Sequence, residues 1–393
     1  MDALAGDEMT RWDFLRRGLE RLEEEELLRI PDDGLARADC ESKAEALGLG
    51  VLDASSNDYL GYAHCPVSRE TTSEFGSGSG ASRLIHGTRP VHRELEMELS
   101  DWMHREATLL FASGYAANLG LLSSVPQEND LIVSDALNHA SIIDGCRLSR
   151  ADVRVIPHLD ADALKEVLHQ EAHRRRCWVV TESYFSMDGD TPNLPAMRTL
   201  CDTYGAHLIV DEAHALGVFG PEGAGLCRRY GVEPDIMVGT FGKAVGGQGA
   251  FVCSDNLVRT WLWNKARSFI YSTATSPILA GYVLKNVRRV RADDLARAQL
   301  SRLSTLFRNK LKAEGVPVLA GSHGPIIPII LGGSERAQSA VEHLSHLGIL
   351  VQAIRPPTVG TGLARIRLTL QASFSPSEID RLAQGVIVTC AQS

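Results

Sequence analysis

The chain has 393 residues, 44% of them hydrophobic, which is enough for a large core and more than one domain and excludes a disordered polymer. Its net charge of −9, from 49 acidic against 40 basic residues, argues against nucleic acid or an anionic membrane as the main partner, while leaving room for a local basic patch that takes a phosphate or carboxylate. The cysteines are scattered with no C-x-x-C pair, which argues against a zinc framework or disulfide scaffold and fits a reducing cytoplasm.

The N-terminus carries Asp2, Asp7 and Glu8 and no apolar core of signal-peptide type, and nowhere is an apolar run long enough to predict a membrane span. Residues 9–30 predict one amphipathic helix, with Trp12, Leu15, Leu19, Leu22 and Leu27 at helical spacing and Glu23 to Glu26 as a solvated face. Pro31-Asp32-Asp33-Gly34 ends it, and the arm is expected to pack across a larger body. VLDASSNDYLG (51–61) reads as a short strand running into an Asx-rich turn, in which Asn57 is locally a turn former. EFGSGSGASRLIHGT (74–88) is a flexible loop whose glycines suit close backbone approach to a ligand. His92 then opens a helical pattern with Leu95, Met97, Leu99 and Trp102.

From residue 108 the pattern alternates strand and helix, the mark of a parallel α/β sheet. The expected strands are 108–112, 130–134, 152–157, 177–182, 207–211, 235–239 and 249–253. Ser113-Gly114-Tyr115 follows the first of them and is either a plain turn or a phosphate site built on a helix N-terminus. His139 opens the helix after the second strand, either as a capped surface histidine or over an aromatic ring in the crevice. Glu182 closes the fourth strand, and Ser186-Met187-Asp188-Gly189-Asp190 is the loop beyond it.

The stretch from Ala206 to Gly249 organises the rest. Leu208-Ile209-Val210 ends in Asp211, and Ile236-Met237-Val238 leads to Gly239-Thr240-Phe241-Gly242-Lys243. Short apolar runs closed by polar residues read as buried parallel strands that deliver side chains at their C-terminal ends, the edge where open α/β sheets bind ligands. Asp211, His214, Thr240 and Lys243 are therefore expected in one crevice. Such a set is either ordinary strand-end polarity or the equipment for pyridoxal phosphate, which needs a Schiff-base lysine and an acid facing its pyridinium nitrogen. The small-residue setting of Lys243, between Gly242 and Ala244-Val245-Gly246-Gly247, favours the second by lowering a lysine pKa through burial. Asp211-Glu212-Ala213-His214 also spells a helicase box, but no G-x-x-x-x-G-K-[ST] string stands upstream. A metal on His139, Glu182, Asp211 and His214 ranks below an organic cofactor, because no pair has H-E-x-x-H spacing.

Residues 271–273 (YST) precede a long helix running through Leu284. After about residue 292 the expectation is a separate α+β domain: a helix at 293–314, strands at 325–331, 349–354 and 365–370, a helix at 335–346, and a last helix opened by Ser375-Pro376-Ser377-Glu378. Arg355 and Arg367 fall in or at the ends of its strands, where a guanidinium is either a surface ion-pair partner or a carboxylate clamp. The fold class expected is α/β: an N-terminal helical arm (1–50), a large domain with a mostly parallel seven-stranded sheet (51–291) and a smaller C-terminal domain (292–393).

The strings SSNDYLG (55–61), GSGASRLIHGT (78–88), SGYAAN (113–118), NHAS (138–141), TESYFSMDGD (181–190), VDEAHALGVFG (210–220), TFGKAVGG (240–247) and YST (271–273), in that order, resemble the α-oxoamine synthase family of fold-type I pyridoxal-phosphate enzymes. The resemblance covers nearly the whole chain from about residue 51. It implies pyridoxal 5′-phosphate as cofactor, no metal, and a cytoplasmic homodimer with a shared active site. Lys243 would carry the Schiff base and move the α-proton, Asp211 would pair with the pyridinium nitrogen, His214 would meet the phenolic oxygen, and His139 would stack on the ring. Gly114, Tyr115, Glu182, Ser186 and Thr240 would hold the cofactor, with Ser272 and Thr273 reaching the phosphate of the neighbouring subunit. Arg367 and Asn57 would clamp the amino-acid carboxylate, while Arg29, Arg355 and Thr358 would line the acyl side.

AIRPPTV (353–359) beside ARIRLTL (364–370) is most similar to the biotin-pathway branch, which implies decarboxylative condensation of L-alanine with a pimeloyl thioester carried on coenzyme A or on a carrier protein. A sibling using glycine or serine, and a non-catalytic binding protein on the same fold, are the alternatives. Two departures stand near the acyl side: Gly360 where a Pro usually closes the PPTVP string, and Ala372-Ser373-Phe374 in place of a segment that commonly carries a His.

Overall fold

The computed structural model describes residues 11–25, 27–29, 34–66, 76–173 and 175–392. Seven strands, β2 (Ala107–Phe111), β3 (Leu131–Asp135), β4 (Asp152–Ile156), β5 (Cys177–Glu182), β6 (His207–Asp211), β7 (Ile236–Thr240) and β8 (Ala250–Ser254), form one sheet in the order β2-β8-β7-β6-β5-β3-β4. From β7 to β4 every neighbour is parallel, and β8 runs antiparallel between β7 and β2. Each strand lies within a residue of its expected place.

Both faces of the sheet are covered, which is why its strands read as continuous apolar runs and not as alternation. Leu131, Val133, Val179, Leu208, Val210 and Met237 enter one core, while Ile132, Trp178, Val180, Ile209, Ile236 and Val238 enter the other. The period of two along each strand thus divides one run between two cores.

A small antiparallel sheet, β11 (Gln352–Ile354), β12 (Ala364–Thr369) and β9 (Ile326–Gly332), builds the C-terminal part with the helices Asp294–Ala313, Ser334–His346 and Pro376–Gln392. The strand expected at 349–354 is in fact two. β10 (Ile349–Leu350) pairs in parallel with β1 (Leu52–Asp53), and only 352–354 joins β12. The break at Val351 ties the small sheet's surroundings to the start of the large body.

The helix expected over 9–30 is shorter among the described residues. It spans Asp13–Glu24, and residues 9, 10, 26 and 30, like the proposed stop at 31–33, lie outside what is described. Its apolar stripe is not packed: no residue of this helix is buried, and Trp12 and Leu19 are 55% and 54% exposed. A second helix, Leu35–Ala46, was not anticipated, because its charged composition hides the two positions, Cys40 and Ala44, that it buries. The glycine-rich stretch also gains order: Arg83–Gly87 forms a π-helical turn, with the Arg83 guanidinium 3.0 Å from the buried Glu96 carboxylate. Residues 74 and 75 of that stretch are outside the described part. Among the described residues no helix is long and apolar enough to cross a membrane.

Candidate active site

The sheet register sets two carboxylates side by side. Glu182 ends β5 directly opposite Asp211, the end of β6, and Asp211 stands opposite Val238 in β7. Both are buried, at 3% and 6% exposure, so each must be satisfied locally. Asp211 accepts from the Asn118 side-chain amide at 2.7 Å and from the Ala213 backbone N–H at 2.8 Å. Glu182 accepts from the His139 backbone N–H at 2.7 Å. Burial, reinforced by the neighbouring Asp211, pushes the Glu182 carboxyl up to about 8.

Asn118 belongs to the helix Gly114–Leu122, which starts at the C-terminal edge of β2 with Ser113 as N-cap, its hydroxyl accepting from the Ala116 N–H. The same Asn118 amide nitrogen donates to Ser141 Oγ at 3.0 Å, and that hydroxyl lies 2.8 Å from His139 Nδ1. Nδ1 also accepts the Ser141 backbone N–H, at 3.2 Å. A hydrogen-bonded chain therefore runs from Asp211 through Asn118 and Ser141 to His139. It fixes the neutral ring with its proton on Nε2. Burial, opposed by Asp211 and aided by Lys243, lowers the His139 pKa. The side chain is still exposed to the crevice, which leaves a ring face available for stacking.

Lys243 follows β7 in a turn of glycines and small residues. Burial, countered by Asp211 and Glu182 and assisted by Arg367, lowers its amine to about 8, so a substantial neutral fraction exists near neutral pH. Thr240, the last residue of β7, packs at the start of the Gly114 helix: a Cβ added at Gly114 would lie 3.8 Å from Thr240 Oγ1. The exposed Tyr115 beside it donates to Asp144, and its ring meets His139 edge-on at 6.5 Å.

His214 is deeply buried, and burial together with Lys243 and Arg367 holds it well below the usual imidazole range. Its Nδ1 lies 2.6 Å from the hydroxyl of Tyr59. Glu212, between them in sequence, turns away. It accepts from Ser183 Oγ and from the backbone N–H groups of Leu226 and Cys227, so it pins the following loop and takes no place in the crevice.

The C-terminal part supplies Arg367, from β12. Its guanidinium donates to the Ser186 carbonyl at 2.5 Å, to Thr369 Oγ1 at 3.0 Å and to Asn57 Oδ1 at 2.9 Å. Arg365, two residues earlier on the same face, donates to the Met187 carbonyl and pairs with buried Asp188. Both arginines thus grip the 186–188 loop of the large body. Arg29 donates to Thr358 Oγ1 at 3.3 Å, which places the two expected acyl-side residues together on an exposed edge. Arg355 is half-buried just before that turn, its carbonyl accepting the Thr358 N–H. Ser272 and Thr273 lie elsewhere on the surface, Thr273 bridging to Ser82.

Of the metal alternatives, the only cluster of suitable groups among the described residues is His158, Asp188 and Asp190, away from the four residues weighed above. Most of its atoms already hold other partners: His158 bridges Asp135 at 2.8 Å and Asp190 Oδ2 at 3.1 Å, and Asp188 faces Arg365, while the buried Asp190 Oδ1 has no hydrogen-bond partner.

Residues 50–386 match the family described as aminotransferase class I and II. An 8-amino-7-oxononanoate synthase from Alkalilimnicola ehrlichii is 41% identical over 376 residues, covering 94% of this chain and 95% of that protein. The chain belongs to the aminotransferase class I and II family, on its α-oxoamine synthase branch. An 8-amino-7-oxononanoate synthase 2 from Bacillus subtilis is also 41% identical, covering 84% of this chain and 86% of the relative. Among solved structures, a serine palmitoyltransferase from S. paucimobilis carrying pyridoxal phosphate with myriocin superposes with a TM-score of 0.87 at 26% identity, covering 98% of this chain and 99% of that one. An 8-amino-7-oxononanoate synthase from Francisella tularensis gives a TM-score of 0.75 at 26% identity, over 87% of this chain and 98% of its own.

Membership brings the fold-type I architecture, and the crevice fits the family's cofactor. A buried acid held by N–H donors, an amine of lowered pKa, an open imidazole face and a helix start beside a threonine hydroxyl are what pyridoxal phosphate requires. Sequence reasoning missed Tyr59, Asn118, Ser141 and Arg365. Tyr59 and Asn118 stand inside the quoted strings SSNDYLG and SGYAAN, so their position was signalled although their partners were not.

Proposed function

We propose that this chain is a pyridoxal-phosphate-dependent C-acyltransferase that condenses L-alanine with a pimeloyl thioester, on coenzyme A or a carrier protein, to give 8-amino-7-oxononanoate, carbon dioxide and the free thiol in biotin synthesis. The observation that carries it is the 41% identity to 8-amino-7-oxononanoate synthases over 94% of the chain. The likeness to serine palmitoyltransferase favours a sibling reaction with serine, but at 26% identity it speaks for the architecture first.

When bound, pyridoxal phosphate supplies an electron sink for charge developing on the amino acid's α-carbon. Lys243 Nζ holds the cofactor and, once the substrate amine has displaced it, takes the α-proton and later returns one; its lowered pKa supports that exchange. Asp211, kept in place by Asn118 and Ala213, offers a negative partner for the ring nitrogen. His214, its Nδ1 taken by Tyr59, would offer its Nε2–H to the ring's phenolic oxygen, and the open face of His139 would stack against the ring. Gly114, Tyr115, Ser186 and Thr240 hold the ring and phosphate, with Glu182 beneath as the anchor of the His139 backbone. Arg367, oriented by Asn57 and the Ser186 carbonyl, binds the substrate carboxylate. Arg29, Arg355 and Thr358 form the entry for the acyl group.

The working unit is read as a cytoplasmic homodimer whose second copy brings Ser272 and Thr273 to the phosphate. Tyr271 and Ile85, 72% and 77% exposed beside these residues, support an apolar surface that a second copy would cover. Residues 1–50, 51–291 and 292–393 serve as arm, cofactor domain and closing domain. The test is product analysis by mass spectrometry after incubating the cofactor-loaded protein with L-alanine and pimeloyl-coenzyme A. 8-Amino-7-oxononanoate with stoichiometric carbon dioxide is expected. A protein that binds cofactor but condenses no amino acid with any thioester would instead be a binding protein on this fold.

A further inference from the structure

Away from the crevice, a cleft of about 720 Å³ opens between the segment 218–230, which ends in the short helix Leu226–Tyr230, the helix Asp294–Ala313 and the 322–325 turn. That volume is in the range of small-ligand sites. Its described lining contains Arg229, Arg297, Arg308 and His323 and not a single carboxylate, in a chain whose net charge is −9.

The three arginines differ in what they already do. Arg297 is spent on structure: it donates to the carbonyls of Val290 and Arg291 at the end of the preceding helix and pairs with Asp294. Arg308 is half-buried. It donates to the carbonyls of Gly324 and Ile326 and to Ser322 Oγ, its Nε has no acceptor, and no carboxylate pairs with it among the described residues. Burial accordingly lowers its pKa, with only the Tyr184 hydroxyl acting the other way. Arg229 lies at the exposed rim over the rings of Phe219 and Tyr230, 6.0 and 5.9 Å from their centroids, again with no carboxylate pairing it among the described residues. His323 stands between these cations: burial, then Arg308, then Arg229 lower its pKa, with Asp190 opposing, and its Nε2 is taken by Thr191 Oγ1 at 2.7 Å.

A guanidinium withdrawn from water without a counter-charge is costly, and an anion entering the cleft would supply what Arg308 and Arg229 lack. We propose that this cleft is a second ligand site, which takes a phosphate ester of mononucleotide size, its phosphate between Arg229 and Arg308 and its organic part along Tyr230 and Leu300. Arginine suits a phosphate because its planar fork donates two N–H groups at once. Nothing in the condensation reaction uses these residues, so the site is separate from the crevice and its occupancy is not part of turnover.

The test is isothermal titration calorimetry of the cofactor-saturated protein, so that the crevice's own phosphate site is filled, with adenosine 5′-monophosphate, inorganic phosphate and adenosine as probes. Adenosine monophosphate should bind most tightly, phosphate more weakly and adenosine not at all. Arg229→Gln, at the exposed rim, should weaken adenosine monophosphate about tenfold or more while basal turnover is unchanged, the size of one charge-assisted contact. Arg308→Gln should do the same, and Arg308→Lys should recover part of the loss. In parallel, the NMR titration of His323, assigned by its absence in His323→Gln, should move to higher pH when adenosine monophosphate is added. No heat with the wild-type protein, adenosine binding as well as its monophosphate, or equal affinity in Arg229→Gln would each overturn the proposal.

Discussion

The hydroxyl of Tyr59 lies 2.6 Å from Nδ1 of His214, with both side chains buried at the floor of the crevice. Burial pushes the Tyr59 hydroxyl up to about 12, against the pull of Arg367, while His214 is held well below the usual imidazole range. The tyrosine therefore keeps its proton and donates it to Nδ1, and the histidine's own proton sits on Nε2, which the proposed function assigns to the cofactor. Tyr59→Phe removes that donor with little change of volume. Cofactor should still bind, the visible absorbance of the loaded protein should shift, and kcat should fall about tenfold, the value of one buried hydrogen bond. An unchanged spectrum with unchanged kcat would show that His214 is oriented by something else.

Lys243→Ala should fold and lose turnover altogether. Borohydride treatment followed by mass spectrometry should fix the cofactor's mass on Lys243 in the wild-type protein and leave the variant unlabelled. Label on another lysine would move the role elsewhere.

Asp211→Asn keeps the size of the side chain but not its charge, and its single amide oxygen can accept only one of the two N–H groups, from Asn118 and Ala213, that the two carboxylate oxygens take. The variant should retain cofactor and lose roughly 100- to 1000-fold in kcat, as when one preorganised partner of a developing charge is deleted. Steady-state kinetics on the cofactor-saturated variant decide it, and near-normal turnover would contradict the role.

His158 gives a pH signature in stability. Burial disfavours its charge, but hydrogen bonds from both ring nitrogens to Asp135 and Asp190 outweigh that and raise its pKa from 6.5 to about 10. A folded-state pKa raised above the unfolded value stabilises fully below the unfolded value, and the contribution disappears as pH rises through the folded one. The Tm difference between the wild-type protein and His158→Asn should be largest near pH 6 and shrink from about pH 6.5 to about pH 10. A difference that grows with pH would mean that the histidine is held neutral.

The sheet was legible because a strand buried on both faces leaves a short apolar run ending in a polar residue, and Val210-Asp211 and Val238-Gly239-Thr240 are of that kind. The crevice was legible as a set of residue types at strand ends. What could not be read was which groups meet across distance. Arg367 and Asn57 are 310 positions apart and Tyr59 and His214 155, and no local pattern encodes such a pair. The break between β10 and β11 was invisible for a related reason: Ile349 to Ile354 is a good strand by propensity, and only the competing partners β1 and β12 divide it. The helix Leu35–Ala46 shows no apolar stripe to read because two small buried residues, Cys40 and Ala44, carry its packing.

In the proposed function Arg367 binds the carboxylate that every amino acid carries, so it cannot distinguish among them. Selection must come from the space beside the α-carbon. A single methyl group in a pocket is worth only about 1–3 kcal/mol, so L-alanine should exceed glycine in kcat/KM by roughly 10- to 200-fold at most. Serine should be poorer than alanine, because its hydroxyl needs a partner there. The segment Ala372-Ser373-Phe374, one of the two departures from the family pattern, is bound to this floor: the Ala372 N–H donates to the Tyr59 carbonyl at 2.8 Å, and Ser373 packs on Gly61. The expectation that both departures stand near the acyl side is thus not met here: this segment lies beside Tyr59. Gly360 instead lies exposed in the turn closed by the Leu363 N–H, near Thr358, which the proposed function gives to the acyl group. Gly360→Pro should therefore alter the KM for the acyl thioester while leaving the alanine-to-glycine ratio alone, and Ser373→His should alter the amino-acid terms. Competition assays with paired amino acids and pimeloyl-coenzyme A measure both, and glycine with a succinyl or acetyl thioester as the best pair would leave the family standing and remove the substrate assignment.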